Sequence, residues 1–401
     1  MADRLIVDLS QDGTASVATH LEGDDLADTV PPFRMTWPLS DETLGNLRWY
    51  LEDYLPSAVY DDRGQRIQQH LAEWGAEVFQ AVFGTGPARD AYQRLRGRRA
   101  GTRLVFRSSS PGLLALPWEL MRDPARPRPL ALDLAGVSRC LPTGQYVDTV
   151  PVPDGMLRVL MVIARPEGER DVSYQMIARP LLERLRAVRG QVDLVVLRPP
   201  TLDALISTLA QASARGRPFQ VVHFDGHGTN RDEGLLDFEK PGGGSDPVPA
   251  GAIAQVLADA EVPVVVLNAC QSGGIGKDLE AAVATRLLAE GTASVVAMAY
   301  RVYAVAAAEF MAAFYERLFA GDPVSAAVTA GRKRMALRNE RPSRKGDLPL
   351  DDWLIPVHYL RRDVSFPQVA TPRTGSLSVD ESLDRIGVAA RGGGAGELDP
   401  V

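Results

Sequence analysis

Cysteine and histidine are scarce in this 401-residue chain, which holds two of the first, Cys140 and Cys270, and five of the second. Two thiols in a chain this long make no disulfide framework, so free thiols in a reducing compartment are expected. The histidines are scattered, His20 and His358 have no convergent partners, and ligand spacing is missing, which argues against zinc. No cofactor is expected. Long apolar runs are absent as well. The longest, Ala304–Ala313, is too short for a membrane span and contains Glu309. The start, MADRLIVDLSQDGTAS, has no apolar stretch of signal-peptide length. A cytoplasmic protein without membrane contact is the expectation. An excess of positive charge is also lacking: the net charge of −7 argues against direct nucleic-acid binding. Pro241-Gly242-Gly243-Gly244-Ser245 lacks the Lys-Ser/Thr of a phosphate-binding loop. It reads as a connector within 229–249, with a lid or a processing site as the alternative.

What is present is the balance of a globular protein, 45% apolar and 24% charged. Residues 1–150 read as a mixed α+β region. Leu5–Leu9 and Ser16–Leu21 have strand character around an Asp12-Gly13 turn. Asp41 is the expected cap of a helix reaching Tyr54. Arg66–Phe83 has helical apolar spacing through Ile67, Leu71, Trp74, Val78 and Val82. Thr102–Ser108 alternates like a strand, and Asp123–Pro129 reads as a surface loop. Trp118 and Glu119 read as structural, on a strand docked against the remainder.

From about Gly155 the texture changes. Apolar runs Leu157–Ile163, Val192–Leu197, Phe219–Phe224, Val262–Ala269 and Ala293–Ala299 are separated by helical patterns at Pro180–Val188, Leu202–Ala214, Ala250–Ala260 and Leu279–Glu290. Helices Val305–Phe319 and Val324–Arg338 follow, then a final strand Trp353–Leu360. Strands without polar alternation are buried on both faces, so 151–365 is expected to be an α/β unit, a mostly parallel sheet with helices on both faces. Residues 366–401 read as a flexible linker toward a further domain.

Open α/β sheets collect their chemistry at the carboxyl ends of strands. Two such ends carry a His or a Cys: Asp225-Gly226-His227-Gly228 and Asn268-Ala269-Cys270-Gln271-Ser272-Gly273-Gly274. A thiolate is the nucleophile, and an imidazole suits the task of taking its proton. Cys270 is therefore the expected nucleophile and His227 its base, with the backbone N–H groups of Gly228 and Cys270 as an oxyanion hole. Gly273-Gly274 would keep the floor clear for a peptide. Asp225 either orients His227 or bonds its own backbone in a turn, and with Asn268 it is a candidate for the P1 pocket. Asn268 either faces the P1 side chain or braces its turn. Tyr300–Tyr303, with Arg301 and Tyr303, either walls the P1 pocket or lies on the surface. His223 is expected to pack or bond locally, and Cys140 to be core.

With VVHFDGHG (Val221–Gly228) and VVLNACQSGG (Val265–Gly274) in place, the chain resembles the CHAT-domain family of the caspase, separase and gingipain group. LLALPWELMRDP (Leu113–Pro124), AMAYRV (Ala297–Val302), FYERLFAG (Phe314–Gly321) and WLIPVHYL (Trp353–Leu360) carry the likeness further. The resemblance implies a caspase-like fold with the 1–150 region docked as a pseudo-subunit. It implies a cysteine endopeptidase acting on a protein or peptide through a thioester acyl-enzyme. It also implies fusion to an NTPase or repeat sensor domain, here C-terminal, and a role in bacterial defence or stress. Relatives that cut after Lys or Arg carry Asp where this chain has Asn268, so a neutral or polar P1 residue is expected. A catalytically silent docking module that binds a partner protein is the alternative, with non-proteolytic acyl transfer behind it.

Overall fold

The computed structural model describes residues 3–22, 27–57, 61–84, 86–95, 97–98, 101–142, 147–149, 152, 155–166, 192–230, 233–271 and 279–367; of 61, 147–149, 230 and 269–271 only the backbone is described. The expected helix Pro180–Val188, the Gly273-Gly274 floor and the linker beyond 367 lie outside these residues.

The amino-terminal half supplies β1 (Arg4–Leu9), β2 (Thr14–His20), β3 (Asp28–Thr29), β4 (Phe33–Arg34), β5 (Arg103–Arg107), β6 (Gly136–Cys140) and β7 (Val147–Thr149). Then come β8 (Leu157–Ile163), β9 (Val192–Val196), β10 (Val221–Asn230), β11 (Gly234–Glu239), β12 (Ser245–Pro249), β13 (Val264–Gln271) and β14 (Ser294–Met298). Last are β15 (Glu340–Ser343), β16 (Gly346–Pro349), β17 (Pro356–Leu360) and β18 (Asp363–Ser365).

Among the described residues, one 14-stranded sheet spans both halves. Its first block, β9-β8-β10-β13-β14, is parallel throughout. Strand β17 runs antiparallel to β14 and parallel to β6, and β5 and β1 continue that second parallel block. The blocks therefore point opposite ways, and the carboxyl ends of β10 and β13 share an edge with the amino end of β17. Cys140, at the carboxyl end of β6, lies at the other edge. It is fully buried, and burial pushes its thiol up to about 12, so it behaves as core.

The fully apolar strands sit in the middle because both of their faces are covered. Val221, Val264 and Val266 join Phe310, Phe314 and Met335, from the helices Ala304–Phe319 and Val324–Leu337, in one cluster. The same cluster takes Leu47, Tyr50 and Val78 from the helices Asp41–Glu52 and Asp61–Phe83. Their neighbours Val222, Phe224, Val265 and Leu267 face the opposite way. There they meet Leu205, Ile253 and Leu287 from the helices Leu202–Ala214, Ala250–Asp259 and Leu279–Ala289.

Several expectations are corrected. Ser40, not Asp41, caps the first helix, its side chain accepting from Thr43 N at 3.1 Å. Residues 234–249 are a β-hairpin rather than an irregular connector. Gly243 and Gly244 turn at φ +89° and +88°, and Leu236, Phe238 and Val248 are buried. Trp118–Leu120 is a turn of 3-10 helix, not a strand. Its Glu119 is structural as expected. It accepts from Arg139 at 2.6 Å through each of its two oxygens and from Arg332 at 2.7 Å, all three side chains being buried. Burial pushes the Glu119 carboxyl up, but the charges of Arg139 and Arg332 outweigh it and hold it below the ordinary value.

Candidate active site

Strands β10 and β13 are direct neighbours, and both run further than the apolar stretches that announce them. Their ladder extends from Val221↔Val264 through Asp225↔Asn268 and His227↔Cys270 to Gly228↔Gln271. The polar residues expected in loops are thus held in strand geometry by a partner strand. Alternation along a strand puts positions 221, 223, 225 and 227 on one face of β10. Positions 264, 266, 268 and 270 share that face on β13, and Val221 and Val264 identify it as the face covered by the Ala304–Phe319 helix. The register sets position 227 opposite position 270 at the carboxyl edge. It sets the pair 225/268 one pleat inward.

His227 is half-buried and Gly228 is buried. Gly228 pairs with Gln271 on one flank and with Leu236 of β11 on the other, so a strand lies along whichever flank its N–H faces. A Cβ there would sit 2.9 Å from Leu235 O and 2.9 Å from Leu279 Cδ2, which is why the position is glycine.

Asp225 and Asn268 are each 3% exposed. Asp225 lies in a strand rather than a turn, so its carboxylate does not fold back on its own backbone. One oxygen accepts from Arg165 Nη2 at 2.6 Å and the other from Asn268 Nδ2 at 3.0 Å. Burial pushes the Asp225 carboxyl above its ordinary value; Arg165, Asn268 and the nearby charge of His227 pull it down without cancelling that push. The Asp225 side chain thus spends its hydrogen bonds on Arg165 and Asn268.

His223 is fully buried, with Nδ1 3.0 Å from the Tyr315 hydroxyl, matching the expectation of a local bond. Burial pushes it down to about 4, so it packs as a neutral ring. His358, unassigned by its sequence context, lies between Ser138 at 2.8 Å and Ser294 at 2.7 Å. It ties β6, β17 and β14 together.

Arg301 and Tyr303 are engaged with the carboxyl end of the Asp41–Glu52 helix. Arg301 donates to Asp53 at 2.7 Å and to Glu52 O at 3.0 Å, and Tyr303 donates to Glu52 O at 3.1 Å. These hydrogen bonds run to Glu52 and Asp53 rather than to Asp225 or Asn268. Arg165, passed over in the sequence, is what the structure adds. It follows β8 at the same edge, and a charged residue just past an apolar strand is as legible in the sequence as the strand-end His227 and Cys270. Among the described residues no group of acidic, His or Cys side chains could hold a metal. No helix among them is long and apolar enough to cross a membrane.

A mostly parallel sheet covered on both faces, with a His strand and a Cys strand in register at its carboxyl edge, defines the caspase-like α/β fold. The CHAT domain family is matched over residues 65–361, and the chain belongs to that family. Among solved structures, separase of Saccharomyces cerevisiae in complex with securin aligns with a TM-score of 0.51 at 12% identity, over 91% of this chain and 30% of that one. The chain thus spans under a third of that relative's length. A second structure of the same complex gives 0.47, and caspase-1 of Spodoptera frugiperda gives 0.32 at 12% identity over 53% of this chain and 91% of that one; neither of these carries weight. A comparison with curated proteins found no match.

Proposed function

We propose that the protein is a cysteine endopeptidase that cleaves a partner protein, with Cys270 as nucleophile and His227 as general base. The observation that carries this is the register: positions 227 and 270 are directly paired on adjacent parallel strands, on one face, at the edge where such sheets do chemistry. His227 takes the thiol proton, the thiolate attacks the scissile carbonyl, and the leaving amine receives that proton as the thioester forms. Water then releases the acid product and regenerates the thiol. The N–H groups of Cys270 and Gly228 hold the oxyanion; for Gly228 to serve, the strand pairing on the flank its N–H faces has to open. Asp225 and Asn268 form the base of the P1 pocket, and Arg301 and Tyr303 wall it once released from Glu52 and Asp53. A cytoplasmic setting, and control by an attached NTPase or repeat sensor domain in bacterial defence or stress, complete the proposal. Its support is the family to which the chain belongs. The likeness to a separase solved with a protein bound supports a protein ligand.

The silent docking module is favoured by one observation, the unbroken ladder through Gly228 and Gln271. Labelling with a peptidyl electrophile separates the two. Wild type should be modified and Cys270→Ala should not, while His227→Ala should react slower by about 10²–10⁴-fold. Modification that survives in Cys270→Ala ends the peptidase reading.

A further inference from the structure

We infer that Arg165 sets the specificity of this site, and that the pocket receives a P1 side chain with an uncharged N–H donor, glutamine or asparagine. The inference rests on the peptidase reading above. A side chain borne by an acyl group at position 270 and directed inward along the same face of β10 and β13 meets the next pleat, which is Asp225 and Asn268. The charge there is already balanced. Asp225 has one oxygen on Arg165 Nη2 at 2.6 Å and the other on Asn268 Nδ2 at 3.0 Å. Arg165 is anchored further through Nη1, which donates to Ala164 O at 2.8 Å and to Asp225 O at 2.9 Å. A Lys or Arg side chain brought to this point would be a buried cation without a counter-charge, which disfavours it strongly. A carboxylate would face the Asn268 carbonyl oxygen and find the Arg165 fork committed to Asp225.

The polarity of the Asn268 amide follows from the same contacts. Its nitrogen must face the Asp225 carboxylate, since the flipped amide would set oxygen against oxygen. That leaves Oδ1 as the end not engaged by Asp225. Asn268 is 3% exposed, and Oδ1 has no hydrogen-bond partner. A buried acceptor left unmade is unfavourable, and a ligand that brings a neutral N–H donor relieves it. Arg165 acts through Asp225, so it is a positioning residue: without its charge, Asp225 would offer a free carboxylate to a basic P1 side chain.

The test uses the full chain and peptidyl acyloxymethyl ketones with mixed P2–P4 positions and P1 fixed as Gln, Lys, Asp or Leu. Wild type should react fastest with the Gln probe. Arg165→Gln should raise the Lys-to-Gln rate ratio at least tenfold, and Asn268→Asp should do the same by a separate route. Adding Asp225→Asn to Arg165→Gln restores neutrality and should restore the Gln preference, which loss of a merely structural contact would not do. A Lys or Asp preference in wild type, or an unchanged ratio in both single variants, overturns the inference. Fluorescence anisotropy of matching unreactive peptides on Cys270→Ala keeps the two claims apart. Gln peptides bound more tightly than Lys peptides, with no probe labelling wild type, would uphold the pocket and remove the peptidase. Labelling without P1 discrimination would do the reverse, and failure of every peptide to bind would overturn the pocket.

Discussion

Buried titratable side chains carry much of the molecule's pH response. Burial holds His358 at about 3 and His223 at about 4, against an ordinary value near 6.5. A lowered histidine pKa means that the unfolded chain takes up the proton first. The stability is whole above about 6.5 and drains as pH falls toward the folded value. At pH 5.0 each neutral ring should therefore oppose folding by about 2 kcal/mol relative to pH 7.5, at 1.36 kcal/mol per pH unit. Asp352, which burial pushes up to about 6, acts with the opposite sign, so the measurement has to be a difference. Urea unfolding of wild type and His223→Gln at the two pH values should show a smaller acid loss in the variant. An equal loss in both would remove His223 as a source. Glu119 is the second residue to test. Glu119→Gln leaves Arg139 and Arg332 buried without a counter-charge and should lower stability by about 3–5 kcal/mol, read from the urea midpoint.

At the scale of elements, close approach decides which glycines can change. The helices Ala304–Phe319 and Val324–Leu337 pack against each other, and a Cβ on Gly331 would lie 2.4 Å from the Phe310 ring. In an open helix Gly→Ala stabilises by about 1 kcal/mol. Here the sign should invert, and Gly331→Ala should destabilise by about 1–3 kcal/mol as Phe310 is forced off its rotamer. Thermal melting checks the sign. The strands show where periodicity reads well and where it stops. The run Leu157–Ile163 matches β8, because a strand buried on both faces is apolar at every position. β10 and β13 outrun their apolar stretches because Asp225, Asn268 and the glycines are kept extended by the neighbouring strand, not by their own propensity. The β11–β12 hairpin was hidden for a related reason: its strands are short and polar, and only three of its side chains are needed to seal the core.

Across the whole molecule, the seam between β14 and β17 joins two oppositely directed parallel blocks. Pairing of β17 with β6, and the bond from Arg332 to Glu119, cross the expected boundary near residue 150. A fragment beginning at residue 151 would expose the β17 edge and strand Arg332 in the core. Such a fragment should fail to give a cooperative unfolding transition by circular dichroism, whereas co-expression with residues 1–150 should restore one. Independent folding of the fragment would show that the two regions are separate domains.

The sequence alone determined the fold class, the helices that cover the sheet and the identity of the two strands that carry His227 and Cys270. Those are properties of local apolar pattern and of residue chemistry, and both are written along the chain. Only the tertiary structure decided that β10 and β13 pair with 227 opposite 270, that Arg165 neutralises Asp225, and that Arg301 and Tyr303 hold the Asp41–Glu52 helix. Register, buried charge balance and contacts between distant segments depend on which surfaces meet after collapse, and no local pattern records them.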